Sequence, residues 1–395
     1  MAFTEIIPGI HYVGVNDRTT TRFESLWSLP YGVSYNSYLI VDEKVALIDT
    51  VEVSYAEQFV ENIRTILGNR PIDYLIVDHM EPDHSSSIRT LRLLYPEMQI
   101  IGNAKTIQML NGYYGVQDHT IEVKEGDNLS LGKKSLSFYF APMVHWPEVM
   151  VSYCPEHKVL FSADAFGTFG ALNGGILDSQ VELDHIWDEM RRYYACIVGK
   201  YGAPVQKALQ KLGGLAIETI CPTHGPVWQE QIGRVIEIYD RLSRYDAEPG
   251  VVIAYGSMYG NTAQMAEKIA RELATQGLKK IFVYDLSYAD ISVVLRDVFK
   301  YDTLIVGSPT YNAELFPEVK TLLEKLSERC VPHRNFACFG SFTWAGAAVK
   351  HMEEFARKMK WEPICPSIEM KQGYDAQGAE LCGTLARAVA EKIQK

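Results

Sequence analysis

Short apolar runs alternate with polar turns over the first fifty residues. Ile10–Val15, Ser37–Val41 and Val45–Asp49 each read as a strand of one sheet, and the polar Asp42-Glu43-Lys44 between the last two reads as a hairpin turn. From residue 56 the spacing changes. Residues 56–69, 85–95 and 104–113 carry a helical pattern, while 73–78 and 99–102 are short apolar runs of the kind buried strands show. A strand-rich stretch follows at 136–139, 149–153 and 159–162. Residues 180–212 and 227–244 read as helices, and in the second Ile232, Val235, Ile236, Ile238, Tyr239 and Leu242 recur at helical spacing. Asp246-Ala247-Glu248-Pro249-Gly250 is polar, ends in Pro-Gly and reads as a linker. Beyond it, runs at 251–255, 280–285, 303–307, 336–340 and 363–368 alternate with helices, the first over 263–276. The pattern predicts an α/β protein of two domains. Residues 1–247 form a mixed sheet array with helices outside, and residues 250–395 form a doubly wound, five-stranded parallel sheet.

Composition narrows the class. A chain of 395 residues has room for two domains, and 47% apolar with 22% charged residues is enough for ordinary cores. A net charge of −11 argues against nucleic acid or an anionic membrane as partner. Seven cysteines, an odd number with no C-x-x-C spacing, point to reduced buried thiols rather than a disulfide framework or a thiolate metal site. Met1–Thr20 lacks the basic and apolar regions of a signal peptide, and no apolar run reaches membrane-spanning length. The expectation is a soluble, cytoplasmic protein.

The chemistry concentrates in His79-Met80-Glu81-Pro82-Asp83-His84, which follows the apolar Tyr74-Leu75-Ile76-Val77 and precedes three serines. This is a strand, a loop and a helix start, since serine favours helix N-caps and Pro82 cannot continue a ladder. Residues 79, 81 and 83 point one way in extended chain, and His84 the other. A loop re-aims them so that His79 and Glu81 hold one metal ion while Asp83 and His84 hold a second. Four ionisable groups beside an apolar strand are costly to bury unpaired. Imidazole with carboxylate suits iron, whereas a structural zinc site would use thiolates. His145, Asp164 and His224 each follow an apolar run, so they too stand at strand ends, where α/β folds gather their sites. The set of four histidines and three carboxylates can give each metal two imidazoles and a carboxylate, with the third carboxylate bridging. Asp49, at a strand end, is placed to hold the motif loop. His11 reads as a packed or rim residue, and His119, His157, His185, His333 and His351 as solvated ones.

In the second domain, Gly256-Ser257-Met258-Tyr259-Gly260-Asn261-Thr262 lies between a strand and a helix. Backbone N–H groups and the helix N-terminus converge there on an anion, and Ser257, Asn261 and Thr262 add donors. With no Lys or Arg, the loop is neither a dinucleotide fingerprint nor a Walker loop, and it suits a mononucleotide phosphate held by hydrogen bonds alone. Two further loops follow the third and fourth strands: Ser308-Pro309-Thr310-Tyr311-Asn312-Ala313 and Ser341-Phe342-Thr343-Trp344-Ala345-Gly346. Each offers an aromatic and small residues beside which a flat ring can lie. Five strands alternating with helices is the flavodoxin-like pattern, whose cofactor sits at the strand C-termini.

Taken together, these motifs resemble the flavodiiron proteins over essentially the whole chain. The first domain resembles the metallo-β-lactamase fold, an αββα sandwich whose hydrolase members carry H-x-H-x-D-H and bind zinc. Glu81 stands here at the second histidine, the exchange that marks a redox di-iron site. The resemblance implies that His79, Glu81 and His145 hold one iron, that Asp83, His84 and His224 hold the other, and that Asp164 bridges them. It also implies FMN in the flavodoxin-like domain, held by Ser257, Met258, Tyr259, Gly260, Asn261 and Thr262, by Pro309, Thr310, Tyr311, Asn312 and Ala313, and by Ser341, Phe342, Thr343, Trp344, Ala345 and Gly346. Tyr259 replaces a small hydroxyl residue usual in flavodoxins, and Ala313 lacks a side-chain amide that many relatives carry. The implied function is reduction of dioxygen to water, of nitric oxide to nitrous oxide, or of both. No C-x-x-C pair is present to build a rubredoxin domain, so a separate carrier such as rubredoxin is the expected donor. A head-to-tail homodimer or a tetramer is implied as well, with Trp146-Pro147-Glu148 and Trp344 at the head-to-tail junction. The rival readings are a binuclear metallohydrolase fused to a flavodoxin-like electron carrier, and a non-enzymatic flavin or gas-sensing module. Glu81 argues against the first and the complete ligand set against the second.

Overall fold

The computed structural model describes residues 5–394; residues 1–4 and 395, at the outer ends of the two expected domains, lie outside them. The chain divides into two compact units between Ser243 and Arg244.

The first unit holds two sheets. In the larger, Glu5–Ile7, Ile10–Tyr12, Tyr38–Val41, Val45–Ile48, Tyr74–Ile76, Gln99–Gly102 and Thr120–Glu122 lie side by side in that order. The first four strands pair antiparallel, the last of these three pairings being the hairpin at Asp42-Glu43-Lys44, and from Val45–Ile48 onward the pairs are parallel. The smaller sheet runs Asn128–Ser130, Ser135–Phe140, Met150–Cys154, Val159–Phe161, Thr219–Cys221, antiparallel except for its last pair. Tyr38, Ile40, Ala46, Ile48 and Ile76 of the first sheet share one buried core with Phe138, Met150, Phe161 and Cys221 of the second. Helices such as Ala56–Leu67 and Gly202–Leu212 each bury one apolar stripe. This is the αββα sandwich. Its parallel strands Val45–Ile48, Tyr74–Ile76 and Val159–Phe161, and their neighbour Thr219–Cys221, are followed by Asp49, by His79–His84, by Asp164 and by His224.

The second unit is a doubly wound parallel sheet in the order Ile281–Asp285, Glu248–Tyr255, Tyr301–Tyr311, Asn335–Phe342, with Ile368–Lys371 beside the last. Val251, Val252, Ile253 and Ala254 are all fully buried, as expected of a central strand with helices on both faces.

Four elements depart from the pattern. Residues 180–212 do not form one helix but Asp184–Tyr193, a single π turn Tyr194–Val198, and Gly202–Leu212. The next helix begins at Ile232, because Trp228 exchanges backbone hydrogen bonds with Ile220, both 2.9 Å, and Asp178 Oδ2 takes the N–H groups of Gln229, Glu230 and Gln231. The Pro-Gly segment is no free linker: the strand starts at Glu248, which pairs with Tyr301, and a register shift before Val251 absorbs Pro249. The fifth strand is split into Glu362–Pro363 and Ile368–Lys371; Ile364 N still donates to Phe336 O at 2.9 Å, and residues 365–367 then leave the ladder, where Pro366 has no N–H to give.

Candidate metal centre and flavin cleft

Asp49 works as its position implies. Its Oδ1 accepts from the backbone N–H of Asp78 at 2.8 Å and of His79 at 3.2 Å, pinning the motif loop to the end of the neighbouring strand. Pro82–Ser85 then forms one helical turn that swings Asp83 and His84 away from His79 and Glu81. His145, Asp164 and His224 arrive from the second sheet.

The seven side chains fall into two groups, His79, Glu81, His145 and Asp164, and Asp83, His84 and His224. All but Asp83 are buried. In the first, Glu81 Oε2 lies 3.3 Å from His79 Nε2 and 3.1 Å from His145 Nε2, and Asp164 Oδ2 lies 3.5 and 3.0 Å from the same nitrogens. In the second, His84 and His224 present Nε2 atoms 3.0 Å apart, each 3.3 Å from Asp83 Oδ2. Asp164 Oδ1 faces this group, 3.0 Å from His84 Nε2 and 3.6 Å from His224 Nε2. One carboxylate thus turns one oxygen to each group.

These residues fit metal ions. Donors bound about 2.1 Å from one ion stand roughly 3.0–3.5 Å from each other, which is the spacing seen. The tautomers agree. His224 Nδ1 lies 2.7 Å from the Ser34 carbonyl, which can only accept, so the ring donates there and its Nε2 lone pair faces inward. His79 Nδ1 donates to Glu148 Oε1 at 2.9 Å, an oxygen that also accepts from Met80 N. Both oxygens of Asp83 and Nδ1 of His84 are buried with no hydrogen-bond partner among the described residues. Lone pairs converging at 3.0 Å and an orphaned carboxylate are costly to keep unless a cation lies between them.

Without that cation the groups lean on one another. Burial works against the charge of Asp164, yet the imidazoles of His84 and His79 hold its carboxyl well below the usual range. Burial likewise opposes charge on His145 and His84, but Asp164 with Glu81, and Asp83 with Asp164, push them up to about 9.

Several neighbours carry no motif. Glu148 is fully buried behind His79, so it is not a junction residue as the sequence reading had it. Thr223 Oγ1 donates to Asp164 Oδ1 at 2.5 Å. Phe23, Tyr35 and Tyr193 pack their rings on His224, with centroids 5.4, 5.9 and 5.5 Å away. Trp146 stands edge-on to His79 at 5.4 Å. Only side-chain partners separate Glu148 from any other loop glutamate, and a linear reading does not show them.

In the second unit, Gly260 takes φ +88°, open to glycine at no cost, and starts the helix Asn261–Thr275. Ser257 Oγ accepts from Gly260 N at 3.2 Å and Ala263 N at 3.3 Å. Thr262 and Ser341 hydroxyls meet at 2.9 Å, and Asn261 Oδ1 accepts from Tyr374 N. Ser257, Met258, Tyr259, Asn261 and Thr262 line one cleft with Pro309, Thr310, Ser341, Phe342 and Thr343. Gln372, which the sequence reading missed, joins them from the loop after the last strand. Tyr311, Asn312, Ala313, Trp344, Ala345 and Gly346 lie outside this lining and are exposed. Two expected loops are partly strand: the third strand runs to Tyr311 and turns back through Asn312 and Ala313 at φ 51° and 61°, and the fourth runs to Phe342.

Residues 33–225 match the ODP family beta lactamase and residues 253–382 match flavodoxin. The chain is 34% identical, over 98% of its own length and 98% of the relative's, to a nitric oxide reductase of Moorella thermoacetica. Among solved structures it is similar to the rubredoxin oxygen:oxidoreductase of Desulfovibrio gigas, with a TM-score of 0.95 and 30% identity over 99% of this chain and 98% of that one. It is also similar to the flavodiiron protein of Giardia intestinalis, with a TM-score of 0.93 and 28% identity over 100% and 98%.

Proposed function

The chain belongs to the flavodiiron protein family, and from that premise we propose that it reduces dioxygen to water, nitric oxide to nitrous oxide, or both. It is an oxidoreductase with FMN on its flavodoxin-like unit and a non-haem iron pair in its β-lactamase-like unit. In this reading His79, Glu81 and His145 hold one iron, Asp83, His84 and His224 the other, and Asp164 bridges. The carrying observation is that Asp164 turns a different oxygen to each donor group, one of which contains Glu81 in place of a third imidazole. A carboxylate with two imidazoles favours iron over a hydrolytic zinc.

Bound there, two ferrous ions and one reduced flavin supply four electrons, enough to take dioxygen to water and more than two nitric oxides need. The chain's own groups hold that arrangement. Glu148 keeps the proton on His79 Nδ1, Ser34 does the same for His224, and Thr223 steadies Asp164. Phe23 and Tyr193 close the His224 side with apolar ring surface and so exclude water there.

The electron donor in this reading is a separate reduced carrier of the rubredoxin kind. Each FMN serves the irons of a head-to-tail partner copy. Trp344 and Tyr259, 88% and 91% exposed beside the flavin cleft, offer the large aromatic surface that such junctions use. Buried thiols at Cys154, Cys221, Cys338 and Cys382 without disulfides agree with a reducing cytoplasmic setting. Among the described residues no helix is long and apolar enough to cross a membrane.

Anaerobic stopped-flow of the fully reduced protein tests the reading. Fast reoxidation of flavin and iron by dioxygen with water as product makes it an oxygen reductase. Fast oxidation by nitric oxide with release of nitrous oxide makes it a nitric oxide reductase. Reoxidation by neither, or two zinc ions per chain in the isolated protein, sinks the proposal. Glu81→His is expected to shift the bound metal toward zinc and to abolish reduction of both gases.

A further inference from the structure

The ring of His224 does not only face the metal site. On its outer side it meets Tyr35 edge-on, with centroids 5.9 Å apart, and Tyr35 in turn meets Tyr55 at 6.3 Å. Tyr35 is buried at 4% exposure, whereas Tyr55 is half-buried at the start of the helix Ala56–Leu67, its hydroxyl 3.3 Å from Thr19 Oγ1. Two phenols thus connect a ligand of the metal site to the surface in two ring contacts. The other aromatic branches from His224, through Phe23 and through Tyr193, both lead to Phe169, and all three rings are buried.

We propose that Tyr35 and Tyr55 form an electron lead from the metal site to the surface, which discharges the site when oxygen reaches it before all four electrons have been delivered. The inference rests on the oxygen branch of the proposed function. In the step, Tyr55 loses one electron, which crosses the Tyr35 ring and His224 to the incompletely reduced site. The phenol proton of Tyr55 leaves to water, to which this residue is open. Tyr35, buried at 4% exposure between the His224 and Tyr55 rings, acts as the bridge. The oxidised Tyr55 is restored by a thiol, which gives a hydrogen atom; two such thiyl radicals join as a disulfide. Each event therefore moves one electron inward, and the oxidising equivalent ends on a small thiol rather than on a ligand histidine.

The test uses the full chain loaded with iron and FMN, its irons reduced and its flavin oxidised, mixed with dioxygen in the absence of thiol. Rapid-freeze electron paramagnetic resonance is expected to show a tyrosyl radical, and peptide mass spectrometry is expected to place oxidation on Tyr55. Tyr55→Phe, which removes only a surface hydroxyl, is expected to abolish both signals. It should leave turnover with excess reductant unchanged and cut several-fold the number of turnovers survived when reductant is limiting. Tyr288→Phe, at an 89% exposed phenol in the other unit, is the control and should change neither. A wild-type protein with no tyrosyl radical overturns the inference, as does a radical that persists in Tyr55→Phe. If the reduced protein consumes no oxygen, the oxygen branch of the function fails and the inference falls with it. If it consumes oxygen normally and Tyr55 stays unmodified, the inference alone fails.

Discussion

Glu148 shows how much a single buried oxygen can decide. Its Oε1 accepts from His79 Nδ1 and Met80 N, both at 2.9 Å, so it sets the tautomer of His79 and the path of the loop beside it. The imidazole it steadies, in turn, holds its carboxyl below the usual value against the opposing effect of burial. Glu148→Gln removes that charge, and iron affinity should fall by about 10–100-fold, measured by competition with a chelator. A second expectation concerns protons. In the metal-free chain His84 and His145 are pushed up to about 9, so both carry a proton at neutral pH. A metal needs them neutral. Ferrous ion added at pH 7 should therefore release protons into weakly buffered solution, and its affinity should rise as pH is raised toward 9. The stability of the metal-free protein moves the other way. The raised imidazoles contribute fully below their ordinary value of 6.5, and the contribution is lost as pH rises through about 9. Asp164 is held low, so its contribution is present above 3.8 and disappears in acid. The denaturation midpoint of metal-free protein should thus fall between pH 6.5 and 9, and a midpoint flat across that range contradicts the ion-pair arrangement.

Elements carried most of what was legible beforehand. The hairpin at Asp42-Glu43-Lys44, the strand before His79 and the alternation after residue 250 could be read because their apolar periods are local. What escaped was decided by contacts distant in sequence. The helix expected from Trp228 starts at Ile232 because Ile220 and Asp178 capture the residues before it. The long helix over 180–212 gives way to a π turn at Tyr194–Val198, and the Pro-Gly segment is drawn into a strand by Tyr301. The candidate metal donors, two groups whose atoms converge in the fold, were legible as residue types at strand ends. Their supports, Glu148, Ser34 and Thr223, were not, because each meets its partner only in the fold. Asp178 illustrates the cost of such a long-range cap. It is 3% exposed and its Oδ2 satisfies three backbone N–H groups ahead of Ile232–Ser243. Asp178→Ala leaves those donors unpaired and should lower stability by about 1–3 kcal/mol, seen as a lower denaturant midpoint at unchanged slope.

At the scale of the molecule the question is which flavin feeds which irons. Two variants separate the possibilities. Glu81→His keeps the flavin cleft but spoils the iron pair. Ser257→Asp keeps the iron pair but puts a carboxylate where the backbone of Gly260 and Ala263 gathers, and it should repel the phosphate of FMN. Each variant alone is expected to be inactive. In the proposed head-to-tail dimer, co-expression in equal amounts gives mixed pairs in which one copy supplies a sound flavin and the other a sound iron pair. In a two-fold head-to-tail dimer such a pair restores one junction of two, and half of randomly formed dimers are mixed, so roughly a quarter of wild-type reduction should return. Transfer within one chain predicts none, because no single chain then holds both working sites. The recovered rate should also fall on dilution below the dimer's dissociation constant while iron and flavin content stay fixed. A mixture as inactive as its parents, with mixed dimers demonstrated by differential tagging, would place flavin and irons of one chain in direct exchange and remove the reason for the head-to-tail assembly.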